Sequence, residues 1–208
     1  MKIALFGTVG AGKSTIANKI SEYLGYKIIS EPIDDNPYFL DSYKDMKNNG
    51  FKMQVYMLTE RSKQLISANN LKDVIFDRTL LEDPIFVAAQ HDLQLFNDID
   101  FKTYNDFYEY VIIPTLAQRN EFDLLIYLKV TTNKAIERIK LRGREYELNV
   151  PKEYWERLNH RYDDFFEKRK HMFDNIVIDA NTDNIEEIVN TIIKEIEQKE
   201  MTLKNKNS

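Results

Sequence analysis

The sequence has 208 residues, of which 43% are hydrophobic, and it carries a formal net charge of −5 at pH 7. This length suits one domain, or one domain with a small lid, and the apolar content excludes a disordered chain. The absence of cysteine excludes a disulfide framework, a cysteine-ligated zinc site and a thiol nucleophile, and the negative charge argues against a general nucleic-acid binder.

The sequence also argues against secretion and membrane insertion. The first apolar run, MKIALFGTVG, is too short and too interrupted by glycine for a signal peptide. No run approaches the roughly 18 apolar residues of a membrane span. We therefore expect a single cytoplasmic domain over residues 1–208.

Short apolar runs rich in β-branched and aromatic residues predict the strands, with helical patterns between them. This alternation is typical of βαβ units, which build a parallel sheet covered by helices on both faces. We predict a three-layer α/β fold with five strands: Ile3–Phe6, Ile28–Ser30, Val74–Phe76, Leu124–Val130 and Ile176–Ile178.

Three helices are predicted in the first 119 residues. The first covers Lys13–Leu24 and ends near Gly25, a residue suited to a helix C-terminus. The second, Lys52–Asn69, is long and amphipathic. The third, Phe101–Arg119, carries an aromatic stripe at three- and four-residue spacing, which serves either core packing or a subunit contact.

Two further helices are predicted near the end of the chain. Pro151 opens a helix that runs to about Lys170, since proline is tolerated in a first helical turn. Thr182 is the predicted N-cap of the last helix, whose isoleucine-rich face would pack on the sheet. We expect fraying after Lys199, where the sequence becomes strongly charged.

A phosphate-binding motif lies between the first strand and the first helix. Three of the six glycines in the chain fall within it, and they let backbone N–H groups turn toward phosphate oxygens at a helix N-terminus. Lys13 would reach the β- and γ-phosphates of ATP, and the Ser14 hydroxyl would face Mg²⁺. The motif G-x-x-x-x-G-K-[ST] and the residue after it are Gly7, Thr8, Val9, Gly10, Ala11, Gly12, Lys13, Ser14 and Thr15.

Charged residues follow the second and third strands, at the sheet edge where open α/β folds bind ligands. Glu31 could take a proton from a hydroxyl acceptor, although a glutamate there can also be a surface or capping residue. Asp77 could hold a metal and Arg78 could bind developing charge, or the two could form a strand-end salt bridge. Asp83, just before Pro84, could simply begin a helix.

An arginine-rich segment follows the fourth strand. Arg138 and Arg142 are four residues apart and share a helix face, and Gly143 would free Arg144 from that helix. Near ATP, such a segment is typical of a lid over about residues 138–150, but it could also be a solvated basic face. The nearby Asn133-Lys134 lacks the aspartate of the N-K-x-D guanine motif, because Ile136 stands in its place, so we exclude a GTPase.

In order and spacing, these motifs resemble the deoxyribonucleoside kinase family, close to its bacterial, purine-preferring deoxyadenosine kinase branch. The resemblance covers residues 2 to about 170. It is carried by Gly7–Ser14, Glu31-Pro32, Asn36-Pro37-Tyr38, Gln54 with Arg61, Asp77-Arg78-Thr79 with Asp83, and Leu141–Arg144 with Glu147 and Pro151.

The resemblance implies a role for each residue around the reacting phosphate. Glu31 would be the general base on the 5′-hydroxyl of a deoxynucleoside, and Arg78 would steady that hydroxyl and the phosphoryl group. Asp77 and Ser14 would attend Mg²⁺. The lid arginines would be Arg138, Arg142 and Arg144.

The resemblance also implies the acceptor pocket. Tyr43 and Glu147 would hold the 3′-hydroxyl, and Gln54 would pair with the base while Arg61 and Asp83 close the pocket. The amide of Gln54 alone does not choose the base. The charged pair resembles kinases for deoxyadenosine, deoxyguanosine and deoxycytidine, of which we favour deoxyadenosine.

The sequence departs from many animal members of the family at two places. They carry Glu-Arg-Ser where this chain has Asp77-Arg78-Thr79, which keeps the charge and the hydroxyl, and tryptophan where this chain has Asn36. The resemblance further implies a homodimer through Lys52–Asn69 and Phe101–Arg119. It also implies feedback inhibition by dATP or another deoxynucleoside triphosphate.

Two alternatives stay open. A nucleoside monophosphate kinase, such as thymidylate kinase, must neutralise an acceptor phosphate, but residues 31–45 carry five acidic residues against one lysine. A non-catalytic ATP-dependent switch would need the phosphate motif but no acceptor pocket, so replacing Glu31 by glutamine would leave it little affected.

Overall fold

The computed structural model describes residues 1–116 and 122–206, and these residues form one five-stranded parallel sheet. The strand order is β2-β3-β1-β4-β5. Each predicted strand is confirmed, with every end within one residue of its prediction. The strands are β1 (Lys2–Phe6), β2 (Lys27–Ile29), β3 (Val74–Asp77), β4 (Leu124–Lys129) and β5 (Asn175–Asp179).

Helices fill the connections between the strands. Short 3₁₀ turns cover Leu80–Glu82 and Lys170–Met172, and a π-helical turn covers Tyr108–Ile112. The α-helices are α1 (Lys13–Leu24), α2 (Phe39–Lys44), α3 (Met46–Ser67), α4 (Asp83–Asp92), α5 (Asp98–Phe107), α6 (Ile113–Leu116), α7 (Thr132–Arg142), α8 (Glu145–Leu148), α9 (Lys152–Arg169) and α10 (Ile185–Lys206). In these described segments, no helix has the length and apolar character needed to cross a bilayer.

The central strand shows how the sheet separates two apolar layers. Successive side chains of a strand point to opposite faces. Ile3 and Leu5 therefore pack with buried residues of α1 and α10, whereas Ala4 and Phe6 pack with buried residues of α3, α4 and α9. Both layers are well filled, which confirms the predicted three-layer α/β fold.

The register of the strands brings three strand ends to one edge. Leu5 of β1 is paired with Asp77 of β3, and Ile29 of β2 is paired with Phe76. The loop after β1, the end of β3 and the segment after β2 therefore meet at the carboxyl edge of the sheet. This edge is where ligands bind in open parallel sheets.

The start of α3 differs from its prediction. The helix begins at Met46, six residues before the predicted Lys52, and ends at Ser67 rather than Asn69. Asp45 caps it by accepting a hydrogen bond from the backbone N–H of Asn48. The cap, rather than the onset of the apolar pattern, sets the first residue.

The predicted cap of α10 was wrong. The helix begins at Ile185, and its N-cap is Asn184, whose side chain accepts from the N–H of Glu187. Thr182 instead accepts from the N–H of Asn184, two residues before the cap position. The helix continues past Lys199 to Lys206, and the fraying expected there stays a prediction.

The predicted helix Phe101–Arg119 is divided in the structure. It begins at Asp98 with Asn97 as its cap, and its predicted end at Arg119 lies outside the described residues. The π-helical turn Tyr108–Ile112 separates α5 from α6 within the predicted range. Tyr104 and Tyr108, which are four residues apart, are buried in the core, while Tyr110 is exposed.

Candidate active site

The loop between β1 and α1 has the backbone of a phosphate cradle. Gly10 and Gly12 have φ values of 82° and 92°, a region that other residues rarely adopt. A Cβ on Gly10 would lie 2.5 Å from the carbonyl oxygen of Ala135, so only glycine fits there. The loop therefore brings its backbone close to the start of α7.

Lys13 lies under this loop. Its Nζ donates to the carbonyl oxygens of Gly7 at 2.7 Å and Thr8 at 3.1 Å. Burial, together with the charge of Arg78, lowers the pKa of Lys13 to about 8 against the opposing effect of Glu82. Anionic phosphates placed here would favour the charged form of this lysine.

The residues predicted to attend a metal lie together. The Ser14 hydroxyl donates to Oδ2 of Asp77 at 2.5 Å. The other carboxylate oxygen, Oδ1, is buried and has no hydrogen-bond partner among the described residues. A hydroxyl and a carboxylate with an unpaired oxygen are a donor set that Mg²⁺ accepts, so these residues fit the metal.

Glu31 lies between two arginines at the carboxyl edge of the sheet. Oε1 accepts from Arg61 at 2.6 Å, and it lies 2.9 Å from Nε of Arg78. Burial works to raise the pKa of Glu31, but Arg78 and Arg61 outweigh burial and hold the pKa below its ordinary value. Glu31 is therefore ionised near neutral pH and able to accept a proton.

Arg78 is buried in an unusual backbone conformation. Its φ is 78°, which is uncommon for a residue with a side chain and is typical of functional sites. The guanidinium lies 4.7 Å from the centre of the Phe86 ring and contacts the Tyr162 hydroxyl. Although burial works to lower the pKa of Arg78, Tyr162 and Glu31 raise it above its ordinary value.

Glu82 is a buried residue next to the site that the sequence analysis did not single out. Its fully buried carboxylate accepts hydrogen bonds from the N–H of Gly7 and from the Tyr162 hydroxyl. The available signal was Thr79-Leu80-Leu81-Glu82, which matches the [ST]-x-x-[EQ] capping box, and the structure shows this box formed.

The residues predicted for base recognition lie along α3. Gln54 and Arg61 are buried, and Nε2 of Gln54 has no hydrogen-bond partner in the described parts of the chain. Arg61 makes an ion pair with Asp83, which is fully buried at the start of α4. Asp83 therefore lies behind Arg61 and orients it, instead of contacting the cavity.

Tyr43 and Glu147 approach each other from α2 and α8. The Tyr43 ring lies 4.9 Å from that of Tyr146, and burial raises the pKa of Tyr43, which keeps its hydroxyl protonated. Glu147 is buried and accepts from Nε of Arg142 at 3.1 Å. The lid segment thereby joins the acceptor side of the cavity.

The other two lid arginines differ in their surroundings. Arg144 has its nearest guanidinium nitrogen 3.7 Å from the carboxylate of Glu147. Arg138 donates to the carbonyl oxygen of Thr182 at 2.7 Å, in the segment before α10. The Arg144 contact lies within the predicted lid, whereas the Arg138 contact joins the lid to the segment before α10.

These side chains surround one cavity of about 600 Å³. Among the predicted residues, Gly7, Thr8, Ala11 and Asp83 do not line it. Those that do are Val9, Gly10, Gly12, Lys13, Ser14, Thr15, Glu31, Tyr43, Gln54, Arg61, Asp77, Arg78, Arg138, Arg142, Arg144 and Glu147.

The cavity also has walls that the sequence analysis did not identify. Met53 and Met57 lie on the same face of α3 as Gln54 and Arg61, so helical periodicity from these two residues would have found them. Gln90 of α4 and Trp155 of α9 come from distant parts of the chain, for which no local pattern gave a signal.

A family model described as Deoxynucleoside kinase matches residues 3–201. A deoxyadenosine/deoxycytidine kinase of Bacillus subtilis (strain 168) is 34% identical over 167 residues, which cover 78% of this chain and 75% of that protein. A deoxyadenosine kinase of Lactobacillus acidophilus is 35% identical over 170 residues, covering 79% of each.

Solved structures show the same similarity. The structure of deoxyadenosine kinase from M. mycoides with bound dATP has a TM-score of 0.89 and 51% sequence identity. The match covers 95% of this chain and 100% of that one. The five-stranded parallel sheet with its phosphate loop is therefore a P-loop kinase fold.

Proposed function

The chain belongs to the deoxynucleoside kinase family and phosphorylates deoxynucleosides with ATP, and we propose that deoxyadenosine is its favoured substrate. The observation that carries the proposed mechanism is the position of Glu31. This ionised carboxylate lines the same cavity as the phosphate loop and is held by two arginines, Arg61 and Arg78.

Glu31 acts as the general base in this proposal. It takes the proton of the 5′-hydroxyl as that oxygen attacks the γ-phosphorus, and the bond from this phosphorus to the β–γ bridging oxygen breaks. Arg78 lies against Glu31 and binds the negative charge that develops on the transferring group. Lys13 balances the charge on the β- and γ-phosphates.

The proposed metal site is formed by Ser14 and Asp77. Mg²⁺, when bound, would neutralise charge on the phosphates of ATP. The unpaired Oδ1 of Asp77 and the Ser14 hydroxyl support this assignment. The lid arginines Arg142 and Arg144 line the cavity, from where they would contact the phosphates and exclude water.

The sugar and base are recognised at the other end of the cavity. We assign the 3′-hydroxyl to Tyr43 and Glu147, and the base edge to Gln54. The unpaired, buried amide nitrogen of Gln54 needs a ligand acceptor, which the ring nitrogens of adenine and cytosine provide. Arg61, oriented by Asp83, completes the pocket, with deoxyguanosine and deoxycytidine as further substrates.

The acceptor pocket distinguishes this proposal from its two rivals. A nucleoside monophosphate kinase would need cationic groups beyond Glu31, but the nearby cations Arg61 and Arg78 are already paired with carboxylates. A non-catalytic switch would not need the buried, unpaired amide of Gln54 facing an acceptor cavity.

The proposal includes a homodimer in the cytoplasm that is inhibited by an end product. Phe107, Tyr110 and Val111 form an exposed apolar patch on α5 and the π-helical turn, which suits a subunit contact. The similar M. mycoides enzyme was solved with bound dATP and with bound dCTP, which supports feedback by a deoxynucleoside triphosphate. Added dATP should compete with ATP, and its failure to inhibit would contradict this part.

The first experiment is a phosphorylation assay with ATP·Mg²⁺ and six acceptors: the four deoxynucleosides, adenosine and dTMP. Deoxyadenosine should give the highest kcat/KM, and dTMP should give no turnover. A preference for thymidine would overturn the proposed base choice, and turnover of dTMP alone would overturn the proposed acceptor site.

Replacing Glu31 tests its role as the base. Glu31→Gln should lower kcat by about 100-fold or more while ATP still binds, because the amide cannot accept the hydroxyl proton. Glu22→Gln, an exposed change on α1, is the matched control and should keep full activity. Unchanged turnover by Glu31→Gln would contradict the assignment.

A further inference from the structure

A single buried carboxylate connects the phosphate loop to Arg78. Glu82 has no exposed surface and lies at the end of the 3₁₀ turn Leu80–Glu82. Its Oε2 accepts from the N–H of Gly7 at 3.2 Å and from the Tyr162 hydroxyl at 2.7 Å. A buried carboxylate is costly unless it is well bonded, so these partners hold Glu82 in a defined place.

Glu82 also contacts the backbone next to Arg78 and the guanidinium of Arg78. The other carboxylate oxygen, Oε1, accepts at 3.2 Å from the N–H of Thr79, the peptide group next to the left-handed backbone of Arg78. NH1 of the Arg78 guanidinium lies 3.4 Å from Oε2. The strained backbone and the charged group of Arg78 are therefore fixed by one side chain.

Glu82 contacts Gly7 on the phosphate-donor side of the site and Arg78 on the acceptor side. Gly7 is the first residue of the phosphate loop, whereas Arg78 lies against Glu31 on the acceptor side. Glu82 itself does not line the cavity. Its effect on the reaction must therefore pass through the groups that it holds.

We propose that Glu82 is a positioning residue, which sets Arg78 relative to the phosphate loop so that both act on the same phosphoryl group. This inference rests on the role proposed for Arg78. It requires that losing Glu82 impairs the chemical step through Arg78. A residue that only stabilised the fold would lower activity independently of Arg78.

The test is a double-mutant cycle of Glu82→Gln and Arg78→Ala, measured as kcat and KM with radiolabelled ATP. Glu82→Gln places an amide N–H₂ group against backbone N–H donors and should lower kcat by about 50-fold. The KM for deoxyadenosine should stay within about threefold. In the Arg78→Ala background, Glu82→Gln should cause no further loss of kcat, within about twofold.

A second variant keeps the cycle decisive if Glu82→Gln does not fold. Tyr162→Phe removes one partner of both Glu82 and Arg78, and it should lower kcat by about fivefold in the wild-type background and not at all beside Arg78→Ala. Tyr127→Phe is the matched control: it also removes a buried hydroxyl, but one that donates to Asp163. It should leave kcat within about twofold.

The possible failures are distinguishable. Wild-type turnover of deoxyadenosine supports the proposed function independently of the cycle. If the wild type turns over deoxyadenosine, the positioning role would be overturned by a double variant whose loss of kcat equals the product of the two single losses. So would an unchanged kcat in both Glu82→Gln and Tyr162→Phe, or a change confined to the KM for deoxyadenosine.

Discussion

At the scale of single residues, Lys13 shows how burial controls the charge of a functional group. Its ammonium donates to the carbonyl oxygens of Gly7 and Thr8, and the side chain is buried. Burial lowers its pKa from 10.5 to about 8. The folded protein therefore releases this proton at a lower pH than the unfolded chain does.

The lowered pKa predicts proton uptake when ATP binds above about pH 8. The phosphates of ATP favour the charged lysine, so affinity should fall as the pH rises through about 8. Calorimetry at pH 8.5 (~0.5 above this pKa) in buffers of different ionisation enthalpy measures the uptake. In Lys13→Arg, whose guanidinium stays charged, the uptake should disappear, and persistent uptake in that variant would assign it to another group.

The lowered pKa of Lys13 also determines how the free energy of unfolding changes with pH. Between about pH 8 and 10.5 the unfolded chain holds more protons at Lys13 than the folded one, so this residue makes unfolding harder as the pH rises. Below about pH 8 both states are protonated, and the destabilising effect of the buried charge is fully present.

Individual site residues differed in how far the sequence could predict them. Glu31 and Gln54 could be located because they lie at a strand end or in a spaced motif, and the structure places both on the cavity. Asp83 was predicted in the pocket, but it lies one layer behind, against Arg61. A local capping box marked Glu82, but no local pattern showed its contacts with Gly7 and Tyr162, which are 75 and 80 residues away.

At the scale of elements, strands were predicted more accurately than helix ends. The buried strands are short runs of apolar residues bounded by polar ones, so composition alone locates them. Helix ends depend on which side chain reaches a free N–H group. Asp45 starts α3 six residues before its apolar pattern suggests, and Asn184, rather than Thr182, caps α10. Which of two neighbouring capping residues starts a helix depends on which side chain reaches a free N–H group of the first turn, and the sequence does not show this.

The cap of α10 can be tested by comparing two substitutions. Asn184→Ala removes the oxygen that accepts from the N–H of Glu187 and should lower the free energy of unfolding by about 1 kcal/mol. Thr182→Ala removes only a turn hydrogen bond outside the helix and should cost about half as much. Urea unfolding measures both, and a larger loss for Thr182→Ala would restore it as the cap.

At the scale of the whole molecule, the segment that follows Asp98 carries apolar side chains on both its buried and its exposed side. The core buries Tyr104 and Tyr108, yet Phe107, Tyr110 and Val111 on the same helical segment face outward. Tyr110 and Val111 follow Phe107 by three and four residues, which is the spacing of one helix face, so the three lie together. The proposed homodimer would cover the exposed side chains of Phe107, Tyr110 and Val111.

The dimer proposal predicts that a charge in this patch separates the subunits. Tyr110, which is 78% exposed, contributes little to the core, so Tyr110→Glu should leave the monomer folded but place a carboxylate in the apolar contact. Sedimentation velocity should then show a dimer for the wild type and a monomer for Tyr110→Glu. Tyr23→Glu, a change at a 64% exposed tyrosine on α1, should remain dimeric. A monomeric wild type, or a dimer that survives Tyr110→Glu, would mean that this patch is not the subunit contact.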